Sequence, residues 1–205
     1  MKSREKLLKQ YPEFKKLRAL KNPKKIQDFL NALPINWGKD WNTCRSVLST
    51  LRAGKAHCIE GAFVAAAALY FNGQKPLVMD LKTTQDDYDH VVTLFKVNGC
   101  WGALSKTSHA VLRYREPIYK TLRELALSYF HEYFLDNGKK TLRSFSDPFD
   151  LRQYGDDWLV ADYDLWQIPE ELDDSPHKKI LTPKMIVFLR KADKIEIKAG
   201  KLKEG

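Results

Sequence analysis

The sequence predicts an α+β fold on three observations. The segment from Ile59 to Phe71 is rich in Ala and carries Glu60 as its single charge, the pattern of a helix buried nearly all round. From Gly73 onward the apolar period shortens toward two, and Asn98-Gly99 stands between two apolar runs as a hairpin signal. Before the Ala-rich segment, apolar residues recur three or four apart, as on amphipathic helices. A buried helix followed by an antiparallel hairpin places that helix on a sheet, with further helices added at the N- and C-terminal ends.

Leu7, Leu8, Tyr11, Phe14, Leu17 and Leu20 predict a helix from Arg4 to Leu20 that Pro12 breaks or restarts. Asn22-Pro23 opens a second helix to about Leu33, with Ile26, Phe29 and Leu30 on one face. A third is expected from Asn42 to Ala53, closed by Gly54. Asn72-Gly73 stops the Ala-rich helix. Lys75 to Leu81 and Tyr88 to Val97 predict strands joined by a turn, and Cys100 to Leu104 returns after Asn98-Gly99. Pro117 to Phe134 has helical spacing, Ser144 to Asp157 is rich in turn residues, and Trp158 to Trp166 suits a strand or an extended arm. Thr182 to Arg190 fits a short helix or strand, and the Lys-rich end from Lys191 is expected to be mobile.

With 205 residues and 43% hydrophobic content the chain can bury a real core, and its length points to one domain over 1–205. Its core is expected at about 42–135, with a helical extension over 1–41 and another over 136–205. No run of about 18 apolar residues occurs and the start lacks an apolar leader, so a cytoplasmic protein without a membrane partner is expected. Cys44, Cys58 and Cys100 are widely spaced with no Cys-x-x-Cys pair, which predicts free thiols, no metal and no cofactor. A zinc site from Cys58, His90 and Cys44 or Cys100 lacks the usual close ligand pairs. The net charge of +9 is drawn largely from Lys near both ends, mixed with acids. No recognition motif accompanies it, so a solvated basic surface is expected in preference to a nucleic-acid partner.

Cys58 stands where the first amides of the buried helix have no helical partner, and their partial positive charge favours a thiolate. His90 lies near the start of an apolar strand, sharing a face with Tyr88, Val92 and Leu94, while Asp89 and Val91 point the other way. Each residue alone is more often structural. Together, a cysteine at a helix start and a histidine on a strand that packs beside it suit a thiolate–imidazolium pair.

The residues Lys55-Ala56-His57-Cys58-Ile59-Glu60-Gly61-Ala62, Asp89-His90-Val91-Val92 and Asn98-Gly99-Cys100-Trp101-Gly102-Ala103-Leu104-Ser105 resemble the transglutaminase-like superfamily, on the papain-like cysteine-hydrolase plan. The resemblance spans about residues 45–110. It implies Cys58 as nucleophile, His90 as base and, by position, Ser105 as the residue that orients the imidazole, where the superfamily usually has Asp. Ser105 can hold the tautomer but brings no charge to stabilise an imidazolium. Trp41 and Asn42 are the side-chain candidates to hold an oxyanion together with the Cys58 amide. The expected function is cysteine-dependent acyl transfer, hydrolysing an amide, peptide or isopeptide bond of a peptide or protein. The alternative is a binding module of the same fold with weak or absent turnover.

Overall fold

The computed structural model describes residues 2–37 and 42–203. Helices α1 (Lys2–Gln10) and α2 (Phe14–Ala19) are separated at Pro12, and α3 (Pro23–Ala32) starts where the Asn22 side chain accepts the Lys25 N–H at 3.0 Å. α4 (Val47–Ala53) is shorter than the expected Asn42 to Ala53. The segment before it stays extended because its amides are used elsewhere: Cys44 N–H donates to Asp164 and Arg45 N–H to Glu60. Gly54 ends α4 at φ 65°, in the left-handed region.

α5 (Cys58–Phe71) is the predicted Ala-rich helix, and all of it except Cys58 and Tyr70 is buried. Small side chains let α2, α3 and α4 pack on one side while the sheet packs on the other. Asn72, expected only as a stop, is also a clasp. Its Nδ2 donates to the Leu17, Leu20 and Ala68 carbonyls and its Oδ1 accepts from Arg18.

The sheet begins with β1 (Leu77–Lys82), β2 (His90–Val97) and β3 (Cys100–Leu104). Asn98 and Gly99 take φ 49° and 80°, the two left-handed positions that a tight hairpin needs. The expected Pro117 to Phe134 helix is instead β4 (Arg115–Tyr119), then α6 (Leu122–Leu127) and a short 3₁₀ turn. Pro117 is tolerated because β4 is an edge strand, and Thr121 with Glu124 caps a new helix. The turn-rich stretch holds β5 (Ser144–Ser146) and β6 (Phe149–Asp150). Trp158 to Trp166 is not a strand: α7 (Asp157–Val160) opens it, and the irregular remainder accepts Ser46 Oγ at the Ala161 carbonyl and donates Leu165 N–H to Cys44. α8 (Gln167–Asp174) and β7 (His177–Lys179) follow.

The result is a mixed structure of helices and a seven-stranded antiparallel sheet, ordered β4-β3-β2-β1-β5-β7 with β6 also on β1. α5 and the N-terminal helices cover one face, where Val78, Val91 and Phe95 join their core. Met79, Leu81, Val92 and Leu94 point to the opposite face and pack with α6, Tyr129 and Tyr133. The Lys-rich end carries further helices. α9 (Pro183–Val187) and α10 (Lys194–Gly200) lead back to the body, where Ala110 N–H donates to Leu202 at 2.9 Å and Lys201 pairs with Asp136 at 3.0 Å. Among the described residues no helix is long and apolar enough to cross a membrane.

Gly61 lets α5 lie close against the segment that follows β3, since a Cβ there would lie 2.3 Å from Lys106 Cβ. Gly61→Ala is expected to cost about 2–3 kcal/mol in urea unfolding by overpacking. Gly54→Ala, with open space but a positive φ, is expected to cost about 1 kcal/mol.

Candidate functional site

At one end of the sheet, Cys58 from α5 and His90 from β2 line the same cavity of about 760 Å³, a size suited to a small ligand or a peptide side chain. Cys58 comes from the helical layer and His90 from the opposite face of the sheet, so the cavity lies where the two layers meet. Lys106, His109, Tyr133 and Trp37 share its lining, and the C-terminal residues Ile197 and Lys201 form part of one wall.

The start of α5 is fixed by Glu60. This fully buried carboxylate accepts His57 N–H at 3.1 Å, Thr43 Oγ at 2.7 Å and Arg45 N–H at 3.2 Å, with the Arg45 guanidinium 3.6 Å away. Glu60 is therefore a helix cap and is not open to a cationic ligand. Thr43 gives its proton to Glu60 and lies 3.3 Å from His57 Nε2, which ties the His57 ring to the same cap.

His90 Nε2 is 2.8 Å from Ser105 Oγ. The same Oγ donates to the Leu112 carbonyl at 2.6 Å. A hydroxyl has one proton, so toward His90 the serine can only accept, and the imidazole proton sits on Nε2. Nδ1 is then the bare base, and it has no hydrogen-bond partner among the described residues. Ser105 itself is buried behind His90 and does not line the cavity.

Ser105 is held from both sides. Gln27 of α3 clamps its backbone, accepting Ser105 N–H at 3.0 Å and donating to the Ser105 carbonyl at 2.7 Å. Leu112, the acceptor for Ser105 Oγ, has φ 61°, a conformation that costs a non-glycine residue about 1–2 kcal/mol. Its N–H donates to Glu132 at 2.7 Å, and Glu132 pairs with Arg115 at 2.6 Å. Both polar groups of this strained peptide are thus committed to the chain that positions the imidazole.

Burial sets the charge state. It pulls the His90 imidazole down to about 4, with the positive charges of His109 and Arg115 adding to the effect. Burial likewise pushes the Cys58 thiol up, against the backbone N–H groups of Ile59, Val91 and Cys58, which act to lower it. The resting pair is a thiol and a neutral imidazole, not the ion pair that the helix start alone suggests.

Cys44 is buried, its thiol bonded to the Leu165 carbonyl and pushed up to about 12, and Cys100 sits at the β2–β3 hairpin. Asn42 is exposed and does not line the cavity, while Trp41 lies outside the described residues. Among the described residues neither Cys58 nor His90 joins a cluster of three groups at metal-binding distance. The cluster that does form is Asp80, Asp89 and Asp173, within which Asp80 is already bonded to His177 at 3.1 Å. Asp89 caps the preceding turn through Thr83, so among the described residues no carboxylate takes the place of Ser105 on His90.

Several residues of the site carry no signal in the sequence. Tyr133 is buried with its hydroxyl unpaired among the described residues, and the phenol is pushed well up by burial and, next in size, by the charge that Cys58 carries as a thiolate. Gln27, Leu112 and Glu132 were also missed. Gln27 alone left a trace, as a polar residue within the apolar stripe of Ile26 and Leu30.

No protein-family model matches the chain and no curated protein matches it. The fold and site define a mixed helix-and-sheet protein in which a thiol and a base-ready imidazole share one cavity.

A buried neutral His90 makes stability depend on pH. Its folded value is depressed below that of the unfolded chain, so the unfolded state binds more protons as pH falls. The protein is expected to lose about 3 kcal/mol from this group between pH 6.5 and 4. Denaturant titrations of the parent and of His90→Gln check this, and the variant should show a flatter dependence in that window.

Proposed function

We propose that the protein is a cysteine acyl-transfer enzyme with a transglutaminase-like, papain-like core, hydrolysing an amide bond of a peptide or protein. The observation that carries this reading is the proton count at Ser105, which leaves His90 Nδ1 unprotonated in the cavity that holds Cys58.

In this mechanism His90 Nδ1 takes the Cys58 proton as the sulfur attacks the carbonyl carbon, and the carbonyl electron pair moves to oxygen. Ser105 keeps accepting from Nε2–H throughout, which holds the ring in place while it is an imidazolium. The oxyanion is received by the Cys58 backbone N–H and by Tyr133, whose buried, protonated hydroxyl has no other partner among the described residues. Collapse breaks the C–N bond, and the imidazolium returns its proton to the leaving amine. Water then attacks the thioester with Nδ1 as base, and the thiol is restored. Because the pair starts neutral, proton transfer accompanies attack instead of preceding it.

The neutral pair and the uncharged Ser105 also favour a second reading, a binding module of the same fold that does not turn over.

Two probes separate these readings. Iodoacetamide alkylates sulfur without forming an oxyanion, whereas p-nitrophenyl acetate acylates through one. With the parent, acylation mapped to Cys58 and its hydrolytic turnover are expected, with loss of both in Cys58→Ala and a drop of about 10²-fold in His90→Gln. Tyr133→Phe is expected to slow acylation by about 10- to 100-fold, leave alkylation unchanged, and stabilise the fold by about 1 kcal/mol by removing an unpaired buried hydroxyl. Ser105→Asp should raise the His90 pKa and move the acid limb of the rate profile upward. Alkylation of Cys58 without acylation would favour the binding module. Equal acylation by the parent and Tyr133→Phe would remove Tyr133 from the mechanism while leaving Cys58 in place.

A further inference from the structure

Residues 182–188 are all exposed, and four of them are large and apolar: Met185, Ile186, Val187 and Phe188. Val187 and Phe188 are 80% and 86% exposed, and α9 has no buried residue. The body of the protein therefore gives no reason for this apolar turn, and its composition points to something outside the chain.

The surrounding charge says what that is. Residues 178–203 hold nine Lys and Arg against two acids. Lys179, Lys184, Lys191, Lys194 and Lys198 are exposed and make no ion pair among the described residues, and Asp193 is already taken by Arg190. We propose that this projecting turn docks on an anionic lipid surface, with Val187 and Phe188 entering the headgroup boundary and the neighbouring lysines lying over lipid phosphates and carboxylates.

Other occupants use only part of these features. A second copy in a symmetric pair would set the same unpaired lysines against each other. A nucleic acid would use the cations but leave Met185, Ile186 and Val187 in water. A groove-forming protein partner needs a face to clasp, whereas here seven consecutive residues are exposed and the apolar side chains are carried on a single helical turn. A bilayer interface takes a projecting apolar tip together with its cationic collar. The expectation of no membrane partner rested on the lack of a spanning segment, which does not bear on contact from one side.

The test is flotation of the full chain with vesicles of phosphatidylcholine alone or with roughly one-third phosphatidylserine. Binding to the mixed vesicles is expected to be about tenfold or more tighter than to phosphatidylcholine and to weaken with salt. The doubly substituted Val187→Glu, Phe188→Glu protein and, separately, Lys184→Glu with Lys191→Glu should each lose about tenfold or more in binding to the mixed vesicles, with thermal unfolding unchanged because all four side chains are exposed. Absence of binding by the parent at low salt would overturn the proposal. So would binding that survives the Val187 and Phe188 changes, since charge alone would then explain it. A parent that ignores vesicles but shifts an oligonucleotide, or pairs with itself in sedimentation, would assign the surface to nucleic acid or to a second copy instead.

Discussion

The Ser105 hydroxyl has one proton to give, and much of the site depends on where it goes. Donation to the Leu112 carbonyl makes the serine an acceptor toward His90, which puts the imidazole proton on Nε2 and leaves Nδ1 bare. The elements around it maintain that choice. Gln27 reaches from an N-terminal helix to grip the Ser105 backbone, and Glu132 with Arg115 holds the Leu112 peptide in its costly left-handed conformation. The N-terminal helices thereby supply part of the frame around the site.

The same burial that orders these groups decides their charge. An Asp at the position of Ser105 would bring a negative charge to the imidazole and favour its protonated form. With serine, desolvation is unopposed, and His90 and Cys58 both rest neutral. The helix start still contributes, since the amides of Cys58 and Ile59 act to lower the thiol, but their effect is smaller than that of burial. In the mechanism we propose, chemistry at such a pair runs by general-base transfer during attack, and the Tyr133 hydroxyl, unpaired among the described residues, answers the charge that then develops.

The elements legible in the sequence were those with a strong local signal. The Ala-rich run gave α5 to within a residue, and Asn98-Gly99 gave the hairpin with its two positive φ values. His90 stood out as a polar residue opening an apolar strand. What was not legible depends on distant partners. β4 carries Pro117 and helical spacing and becomes a strand only because the edge of β3 is there to pair with. α9 and α10, of five and seven residues, are too short to announce themselves by propensity, and the second is placed by contacts to residues near 109 and 136. Tyr133 stands out because its hydroxyl lacks a partner among the described residues, a property that appears only once its neighbours are in place.

The tautomer of His90 is the most direct observable. Nitrogen-15 NMR of histidine-labelled protein, with the His90 signals assigned by their loss in His90→Gln, should show at pH 7 a neutral ring with its proton on Nε2 and a bare Nδ1. Ser105→Ala should abolish that preference. A proton on Nδ1, or a doubly protonated ring at pH 7, would contradict the arrangement on which the mechanism rests.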